Sequence, residues 1–136
     1  SVMIDNSIHS SIQKGFVALV GFQPDDSDED LALMVRKITN IRIFDDEKGA
    51  LNKSISDING DILLVPNFTL AADTTRGNRP GFSTAMPPDI AKPMFEKFVD
   101  DVSCAYTKVA SGVFGADMKV SLINDGPITI SLASKK

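Results

Sequence analysis

The sequence predicts an α/β protein with two main helices. Runs that alternate apolar and polar residues, with the period of two typical of strands, are interspersed with two amphipathic segments of helical period. At 136 residues, with 43% hydrophobic and 24% charged residues, the chain is long enough to bury a core, and no repeat or linker divides it. We therefore expect a single domain that spans residues 1–136.

Composition and charge exclude several classes of protein. The single cysteine, Cys104, excludes an intrachain disulfide framework and a cysteine-based zinc cluster. No apolar run approaches the roughly 20 residues that a membrane-spanning helix requires. A formal net charge of −4 argues against nonspecific binding to duplex DNA. We expect a cytoplasmic protein that has no metal or cofactor and binds neither a membrane nor DNA.

Alternation and turn chemistry predict the strands of the N-terminal half. Residues 2–4 have the pattern of a strand, residues 5–7 that of a turn, and residues 10–13 that of the hairpin partner. The nearly continuous apolar run over residues 15–22 is typical of a strand buried on both faces. A short strand is expected at residues 41–44, before an acidic turn that lacks the ligand spacing of a calcium loop.

Two segments have the caps and the periodicity of helices. The first begins after Ser27, a good N-cap residue, and carries acidic residues in its first turn, where they meet the positive end of the helix dipole. The second begins at residues 87–89, and Pro93 is expected to shift its start or to bend it. The apolar stripes comprise Leu31, Met34, Val35 and Ile38 in the first helix and Met94, Phe95, Phe98 and Val102 in the second.

A buried strand predicted at residues 61–65 ends in an irregularity that suits the binding of an anion or a carbonyl oxygen. A short strand at residues 54–58 and the Asn-Gly pair at residues 59–60 predict a hairpin before it. Pro66 has no N–H group to give to a sheet, and Asn67 supplies amide donors and an acceptor. Backbone amides splayed by such a break are suited to an oxyanion hole.

Few side chains of this sequence suit nucleophilic or acid–base catalysis. Thr69 has no base nearby in sequence, so a structural role is favoured over that of a nucleophile. His9 is the only histidine and lies near the start of a predicted hairpin, which disfavours a Ser-His-Asp triad. Cys104 is expected to be a small apolar filler. Arg76 and Arg79 suit phosphate oxygens, although a plain surface loop explains them equally well.

The C-terminal region predicts a hairpin with an unusual turn. Residues 118–123 and 128–132 both alternate like strands, and the turn between them contains Gly126 and Pro127. Glycine admits backbone angles closed to other residues, and only at an X-Pro bond is the cis form cheap. The pair is either a simple tight turn or a rigid, exposed corner with two carbonyl oxygens that face the same way.

Six short motifs, spread over essentially the whole chain, form a specific combination although each of them is weak alone. They are Arg42-Ile43-Phe44, Asn67-Phe68-Thr69-Leu70, Ala72-Asp73-Thr74, Gly77-Asn78-Arg79-Pro80, Phe114-Gly115-Ala116-Asp117-Met118 and Asn124-Asp125-Gly126-Pro127-Ile128-Thr129. In this order they resemble the D-aminoacyl-tRNA deacylase family, also called D-tyrosyl-tRNA deacylase.

The resemblance implies a fold, a reaction and an assembly. The fold would be a compact α/β domain with a barrel-like, mostly antiparallel sheet, in a homodimer with its active sites at the interface. The protein would hydrolyse the ester that joins a D-amino acid, or glycine, to the 3′-terminal adenosine of the tRNA acceptor end. Gly126 and Pro127, as a cis pair, would reach into the partner's site and exclude L-side chains, while backbone amides and the tRNA 2′-hydroxyl assist the reaction.

Matched positions supply the candidate site residues. The resemblance assigns Asn67, Phe68 and Thr69 to catalysis and Pro66, Ala91, Phe114, Gly126 and Pro127 to substrate binding. The family usually has Ser-Gln where this chain has Pro66-Asn67, and it opens with a strand that carries an arginine before the position of Ser1. Two alternatives therefore stay open: a noncatalytic protein that binds the aminoacyl-tRNA end, and an editing deacylase with an altered chirality preference.

Overall fold

The computed structural model describes residues 1–135, which form eight strands, two α-helices and one 3₁₀ turn. The strands are β1 Val2–Ile4, β2 Ser7–Ser10, β3 Gly15–Val20, β4 Phe44–Asp45, β5 Leu51–Lys53, β6 Asp61–Pro66, β7 Val109–Ser111 and β8 Lys119–Val120. The helices are α1 Asp28–Asn40 and α2 Pro88–Ala105, and the 3₁₀ turn is Phe68–Ala71. The predicted α/β class with two main helices is confirmed.

Strand β6 is the buried centre of the fold. Its side chains alternate between two apolar layers, because successive residues of a strand point to opposite faces. Ile62 and Leu64 pack into the cluster that contains the buried residues of both helices, and Leu63 and Val65 pack with Val2 on the other side. All four β6 side chains are at most 3% exposed. The predicted buried strand is therefore confirmed.

The central sheet has the order β3-β6-β7 and is parallel. Strand β3 pairs with β6 over six residues, from Gly15 with Asp61 to Val20 with Pro66, and β7 pairs with the other edge of β6. The chain crosses between these parallel strands through α1 and α2, both of which contribute buried residues to one apolar cluster. The other two sheets, β2-β1-β8 and β4-β5, are antiparallel. The sheets are therefore mixed, and closure into a barrel stays a prediction.

The helices begin where their caps predict. The carboxylate of Asp30 accepts a hydrogen bond from the Ser27 N–H at 2.8 Å, which completes a capping box at the start of α1. Helix α2 begins at Pro88 and is continuous through Pro93 to Ala105. Its predicted stripe is confirmed, since Phe95, Phe98 and Val102 are buried and Met94 packs against the same cluster. None of the described helices is long and apolar enough to cross a membrane.

Two predicted strand positions in the first quarter of the chain need correction. The N-terminal hairpin is present, but its second strand is Ser7–Ser10, because Asp5 and Asn6 form a two-residue turn with φ of 50° and 64°. Strand β3 ends at Val20 and is only half-buried, with Leu19 47% exposed. It lies at the edge of its sheet, so the expectation of burial on both faces was wrong.

The predictions for residues 41–60 were partly wrong. The strand expected at residues 41–44 is the shorter β4, and the one expected at 54–58 is a turn in which Asp57 accepts a hydrogen bond from the Ser54 N–H. Asn59 does have the left-handed backbone of a turn, with φ of 52°. It does not close a hairpin, because β5 pairs with β4 whereas β6 pairs with β3 and β7.

The predicted C-terminal hairpin is not present within residues 1–135. Only Lys119–Val120 forms a strand, which pairs with β1, and residues 121–135 run without ladder pairing. Leu122, Ile123 and Ile130 are 56%, 92% and 52% exposed. A period of two shows which side chains share a face, but not which strand pairs beside them.

Cys104 is exposed, so its predicted role as an apolar filler was wrong.

The C-terminal tail is attached to the start of α1 by an ionic cluster. The Lys135 ammonium lies 2.7 Å from a carboxylate oxygen of Asp26 and 3.0 Å from one of Asp30. The pKa of Asp30 is far below its ordinary value, first because the Ser27 N–H donates to the carboxylate and next because Lys135 does. The pKa of Lys135 is raised, mainly by its hydrogen bond to Asp26. This cluster thus joins two segments that are remote in sequence.

The lowered pKa of Asp30 predicts a pH-dependent stability. A carboxylate whose pKa is lowered by folding stabilises the protein fully above its unfolded-state pKa, and the stabilisation is lost as the pH falls below it. We expect the free energy of unfolding of the wild type to exceed that of Asp30→Asn by a constant amount above about pH 5 and by a shrinking amount below about pH 4. Urea titrations at pH 7, 5 and 3 measure this difference. Lys135→Met keeps the Ser27 bond and should show a smaller version of the effect, whereas a difference independent of pH would contradict this assignment.

Candidate active site

The candidate site begins where β6 leaves the central sheet. Pro66 is the last residue of β6, and the Asn67 N–H still donates to the Val20 carbonyl at 2.7 Å. Asn67 is extended, with φ of −148° and ψ of 92°, and the 3₁₀ turn begins at Phe68. The break therefore lies at the carboxyl ends of two parallel strands, β3 and β6, where loops of α/β sheets place ligands.

Two backbone amides at this break take no part in the ladder. The N–H groups of Phe68 and Thr69 have no hydrogen-bond acceptor among residues 1–135, although Leu70 and Ala72 donate to the carbonyls of Asn67 and Thr69. The first N–H groups of a helical turn have no acceptor within that turn. Two adjacent free donors suit a carbonyl oxygen or an anion, and this role stays a prediction.

The side chains of Asn67 and Thr69 form one unit. The Thr69 hydroxyl donates to the side-chain oxygen of Asn67 at 2.5 Å. No histidine or carboxylate hydrogen-bonds to Thr69 in the described part of the chain, so nothing there activates it as a nucleophile. The bond uses the Asn67 oxygen and leaves its NH₂ group available as a donor.

The backbone around this unit is tightly packed. A Cβ atom added at Gly21 would lie 3.0 Å from the Asn67 carbonyl oxygen and 3.1 Å from the Leu70 Cβ. Pro66 is buried, and a Cβ at Gly112 would lie 3.4 Å from its Cδ. Phe68 is 54% exposed. The backbone on both sides of the break is thus closely packed, whereas the Phe68 ring is exposed.

Ala91 and Phe114 both belong to the helical layer of the core. Ala91 is 4% exposed on α2, and Phe114 packs against the same cluster, with its ring centroid 6.4 Å from that of Phe95. Phe114 is therefore only partly exposed, because α2 covers one side of its ring. The described contacts of these two residues are with the helical layer rather than with the Asn67 break, and their role in substrate binding stays a prediction.

Gly126 and Pro127 form an exposed corner, and the bond between them is cis. Gly126 has φ of +131°, a conformation that L-residues rarely adopt, and a Cβ there would lie 2.9 Å from Ile128 Cγ1. The Asn124 amide donates to the Thr129 hydroxyl at 2.8 Å, and its oxygen accepts from the Ile128 N–H at 3.1 Å. In the described residues these contacts stay within the corner, and none joins it to residues 66–69.

Sequence reasoning assigned no structural role to two residues that shape the candidate site. Gly21 permits the close approach of the Asn67 break, and Asn124 closes the corner across five residues. Asn124 carries a recognisable signal, because asparagine at the start of a turn commonly bonds to backbone a few residues on. Gly21 carries none, since its role depends on the pairing of β3 with β6.

Comparison with known proteins identifies the family. The family model described as D-Tyr-tRNA(Tyr) deacylase matches residues 1–133. The chain belongs to this deacylase family. The predicted resemblance is confirmed.

Curated deacylase relatives match the chain over its full length. A protein of Chlorobaculum tepidum named D-aminoacyl-tRNA deacylase is 54% identical over 137 residues, which cover 100% of this chain and 91% of the relative. A protein of Bacteroides fragilis with the same name is 52% identical over 136 residues, covering 99% of this chain and 91% of the relative.

Solved structures agree with the deacylase fold. A structure named c-Myc DNA Unwinding Element Binding Protein superposes with a TM-score of 0.95 at 38% identity, covering 100% of this chain and 93% of that one. A structure of a "probable eukaryotic D-amino acid tRNA deacylase" has a TM-score of 0.72 at 17% identity, over 87% and 86% of the two chains. The second likeness shows the fold alone.

The two bonds of Asn124 predict that this side chain holds the Gly126 corner of the deacylase chain in shape. We expect Asn124→Ala to speed amide exchange at Ile128 and cleavage of the corner by protease. Asn124→Asp keeps an acceptor for the Ile128 N–H and for the Thr129 hydroxyl, so it should behave like the wild type. Hydrogen exchange followed by mass spectrometry measures the difference, and equal protection in the wild type and Asn124→Ala would contradict it.

Proposed function

We propose that this chain hydrolyses the ester bond of D-aminoacyl-tRNA and releases free tRNA and a D-amino acid. The observation that carries the proposal is the pair of free backbone amides at Phe68 and Thr69, in a chain that matches the deacylase family over residues 1–133. Relatives that are 54% and 52% identical are named D-aminoacyl-tRNA deacylases. We also propose that residues 1–136 act as one domain in this reaction.

Catalysis rests on backbone donors and on positioning. The N–H groups of Phe68 and Thr69 bind the ester carbonyl oxygen and stabilise the negative charge that develops there when water attacks the carbonyl carbon. The bond to the ribose oxygen then breaks, and that oxygen takes up a proton. The tRNA 2′-hydroxyl assists the proton transfer, in agreement with the absence of an activated side chain beside Thr69 among residues 1–135. Asn67 positions this turn through its bond from Thr69.

Selection for one chirality requires a second copy of the chain. The Gly126 corner and the apolar side chains of Leu122, Ile123 and Ile130 are exposed in the single chain. A homodimer would cover these side chains and place the corner against the partner's Asn67 break. The carbonyl oxygens of Gly126 and Pro127 then accept hydrogen bonds from the substrate α-amino group, and an L-side chain collides with the corner. Hydrogen, in glycyl-tRNA, and D-side chains do not collide.

The substrate contacts follow from the same arrangement. The 3′-terminal adenosine lies beside the exposed Phe68 ring at the break, and only the single-stranded acceptor end is held. Few phosphates are then contacted, which suits an acidic protein with a net charge of −4. One structural relative is named for binding DNA, but no feature described above favours duplex DNA here.

A noncatalytic protein that binds the aminoacyl-tRNA end is the second candidate. It is favoured by Asn67, whose side-chain oxygen is occupied by Thr69, and by buried Pro66, because the family usually has Ser-Gln at these two positions. This candidate predicts binding without turnover. An editing deacylase with altered chirality preference predicts turnover of L-esters instead.

The role of the Phe68 amide is tested with proline. Proline suits the first position of a helical turn, and Asn67 lies outside the α region that a following proline disfavours, so Phe68→Pro removes the N–H group without breaking the turn. We expect its single-turnover rate on D-tyrosyl-tRNA to fall about 10²–10³-fold, the usual cost of losing an oxyanion donor. Phe68→Ala keeps the N–H group and should lose far less of the rate at saturating enzyme. Equal losses in the two variants would contradict the role of the amide.

The role of the Gly126 corner is tested with valine. Gly126→Val introduces a side chain at φ of +131°, where its Cβ would meet Ile128, so the corner must change shape. We expect hydrolysis of D-tyrosyl-tRNA and glycyl-tRNA to be lost while circular dichroism and the unfolding midpoint stay close to those of the wild type. Gly49→Val, at an open position of the turn between β4 and β5 with φ of +79°, is the matched control for strain alone. Unchanged hydrolysis by Gly126→Val would contradict the mechanism.

A further inference from the structure

Phe82 and Phe68 form an exposed aromatic pair. The proposed reaction assigns a role to Phe68 but none to Phe82. The two ring centroids are 5.1 Å apart at an interplanar angle of 63°, and the rings are 45% and 54% exposed. Exposed aromatic rings that touch each other mark surfaces for contact with a ligand or a partner. Phe68 belongs to the proposed site, so Phe82 extends that site along the surface.

A closed loop leads from the 3₁₀ turn to Phe82. Asp73 and Gly81 exchange two backbone hydrogen bonds, of 2.7 and 2.9 Å, which close the base of the loop. The Asp73 carboxylate accepts from the N–H and the hydroxyl of Thr75 at 3.0 and 2.7 Å. The only carboxylate within residues 73–81 is therefore engaged inside the loop, and Phe82 follows its closed base directly.

The same loop carries two exposed guanidinium groups, those of Arg76 and Arg79. Neither forms a salt bridge among residues 1–135, although the chain as a whole has a net charge of −4. Arginine forks bind phosphate oxygens, and aromatic faces stack with unpaired bases. Two free arginines beside an exposed aromatic pair thus complement single-stranded RNA, which presents phosphates and unstacked bases together.

We propose that Arg76, Arg79 and Phe82 form a subsite for the unpaired nucleotides that precede the 3′-terminal adenosine of the substrate. The guanidinium groups bind the phosphates of these nucleotides, and the Phe82 ring stacks with one of their bases. This inference rests on the proposed function, because the edge contact between Phe68 and Phe82 joins the subsite to the break where the ester is held. A second copy of this chain seated on the pair is the alternative that the experiment must exclude.

The subsite is tested by binding of a fluorescent RNA hexanucleotide with the sequence of a tRNA 3′ end, measured by fluorescence anisotropy. We expect Arg76→Gln/Arg79→Gln and Phe82→Leu each to raise Kd at least about fivefold. Only the double arginine variant should lower the slope of log Kd against log salt concentration, by about 1.4 for two lost phosphate contacts on a single strand. Arg36→Gln, which removes an exposed arginine of α1, is the control and should keep both values.

A second measurement separates the subsite from the proposed function. D-tyrosyl-adenosine lacks the preceding nucleotides, whereas D-tyrosyl-hexanucleotide carries them. The kcat/KM of the hexanucleotide ester divided by that of the adenosine ester therefore reports the subsite. We expect the double arginine variant to lower this ratio at least about fivefold. Failure of the wild type to hydrolyse either ester would overturn the proposed function, and the anisotropy result would still decide the subsite. An unchanged Kd in both variants, or a changed sedimentation coefficient with unchanged Kd, would overturn the subsite.

Discussion

The parallel pairing of β6 with β3 is the constraint on which the candidate site depends. Ile62 and Leu64 anchor β6 to the helical layer, Leu63 and Val65 anchor it to the opposite layer, and none of these side chains can move without opening a cavity. The pairing ends at Pro66, and the next amide is still bound to the end of β3. The amides of residues 68 and 69 are therefore presented at a position set by the core rather than by a mobile loop.

The Gly126 corner, unlike the amides of residues 68 and 69, is not held in place by the core. Its shape is set by local bonds of Asn124, and the apolar side chains on either side of it are exposed in the single chain. The 92% exposure of Ile123, beside a core that buries β6 completely, supports the proposed dimer. In the proposed dimer, each site combines a rigid half from one subunit with a corner from the other. Discrimination between enantiomers then depends on the interface.

Local patterns predicted the elements whose stability is local or whose burial is complete. Helix α1 follows from Ser27, its acidic first turn and a single apolar stripe, and β6 follows from a continuous apolar run. Partner choice was not predictable in this way. The period of two in residues 118–132 predicted two strands, but such a period carries no information about what pairs with them. The same limit explains Leu19, whose burial depended on β3 having a second neighbour.

The parts of the candidate site that are adjacent in sequence could be predicted, and the parts that tertiary structure brings together could not. The break at Pro66 and Asn67 could be found because proline ends a ladder and its neighbours are adjacent in the chain. The role of Gly21 and the contact of Phe68 with Phe82 depend on residues brought together by tertiary structure, so no local pattern reveals them. Family resemblance supplied the link between the break and the corner, which no contact within residues 1–135 makes.

Subunit complementation tests most directly the claim that each site is shared between two chains. Phe68→Pro disables the break and Gly126→Val disables the corner, so each homodimer is inactive. In a purified heterodimer of the two variants, one site combines an intact break with an intact corner, and the account predicts roughly half of the wild-type single-turnover activity on D-tyrosyl-tRNA per dimer. A heterodimer as inactive as its two parents would contradict the shared site and place the break and the corner of any functional site in the same chain.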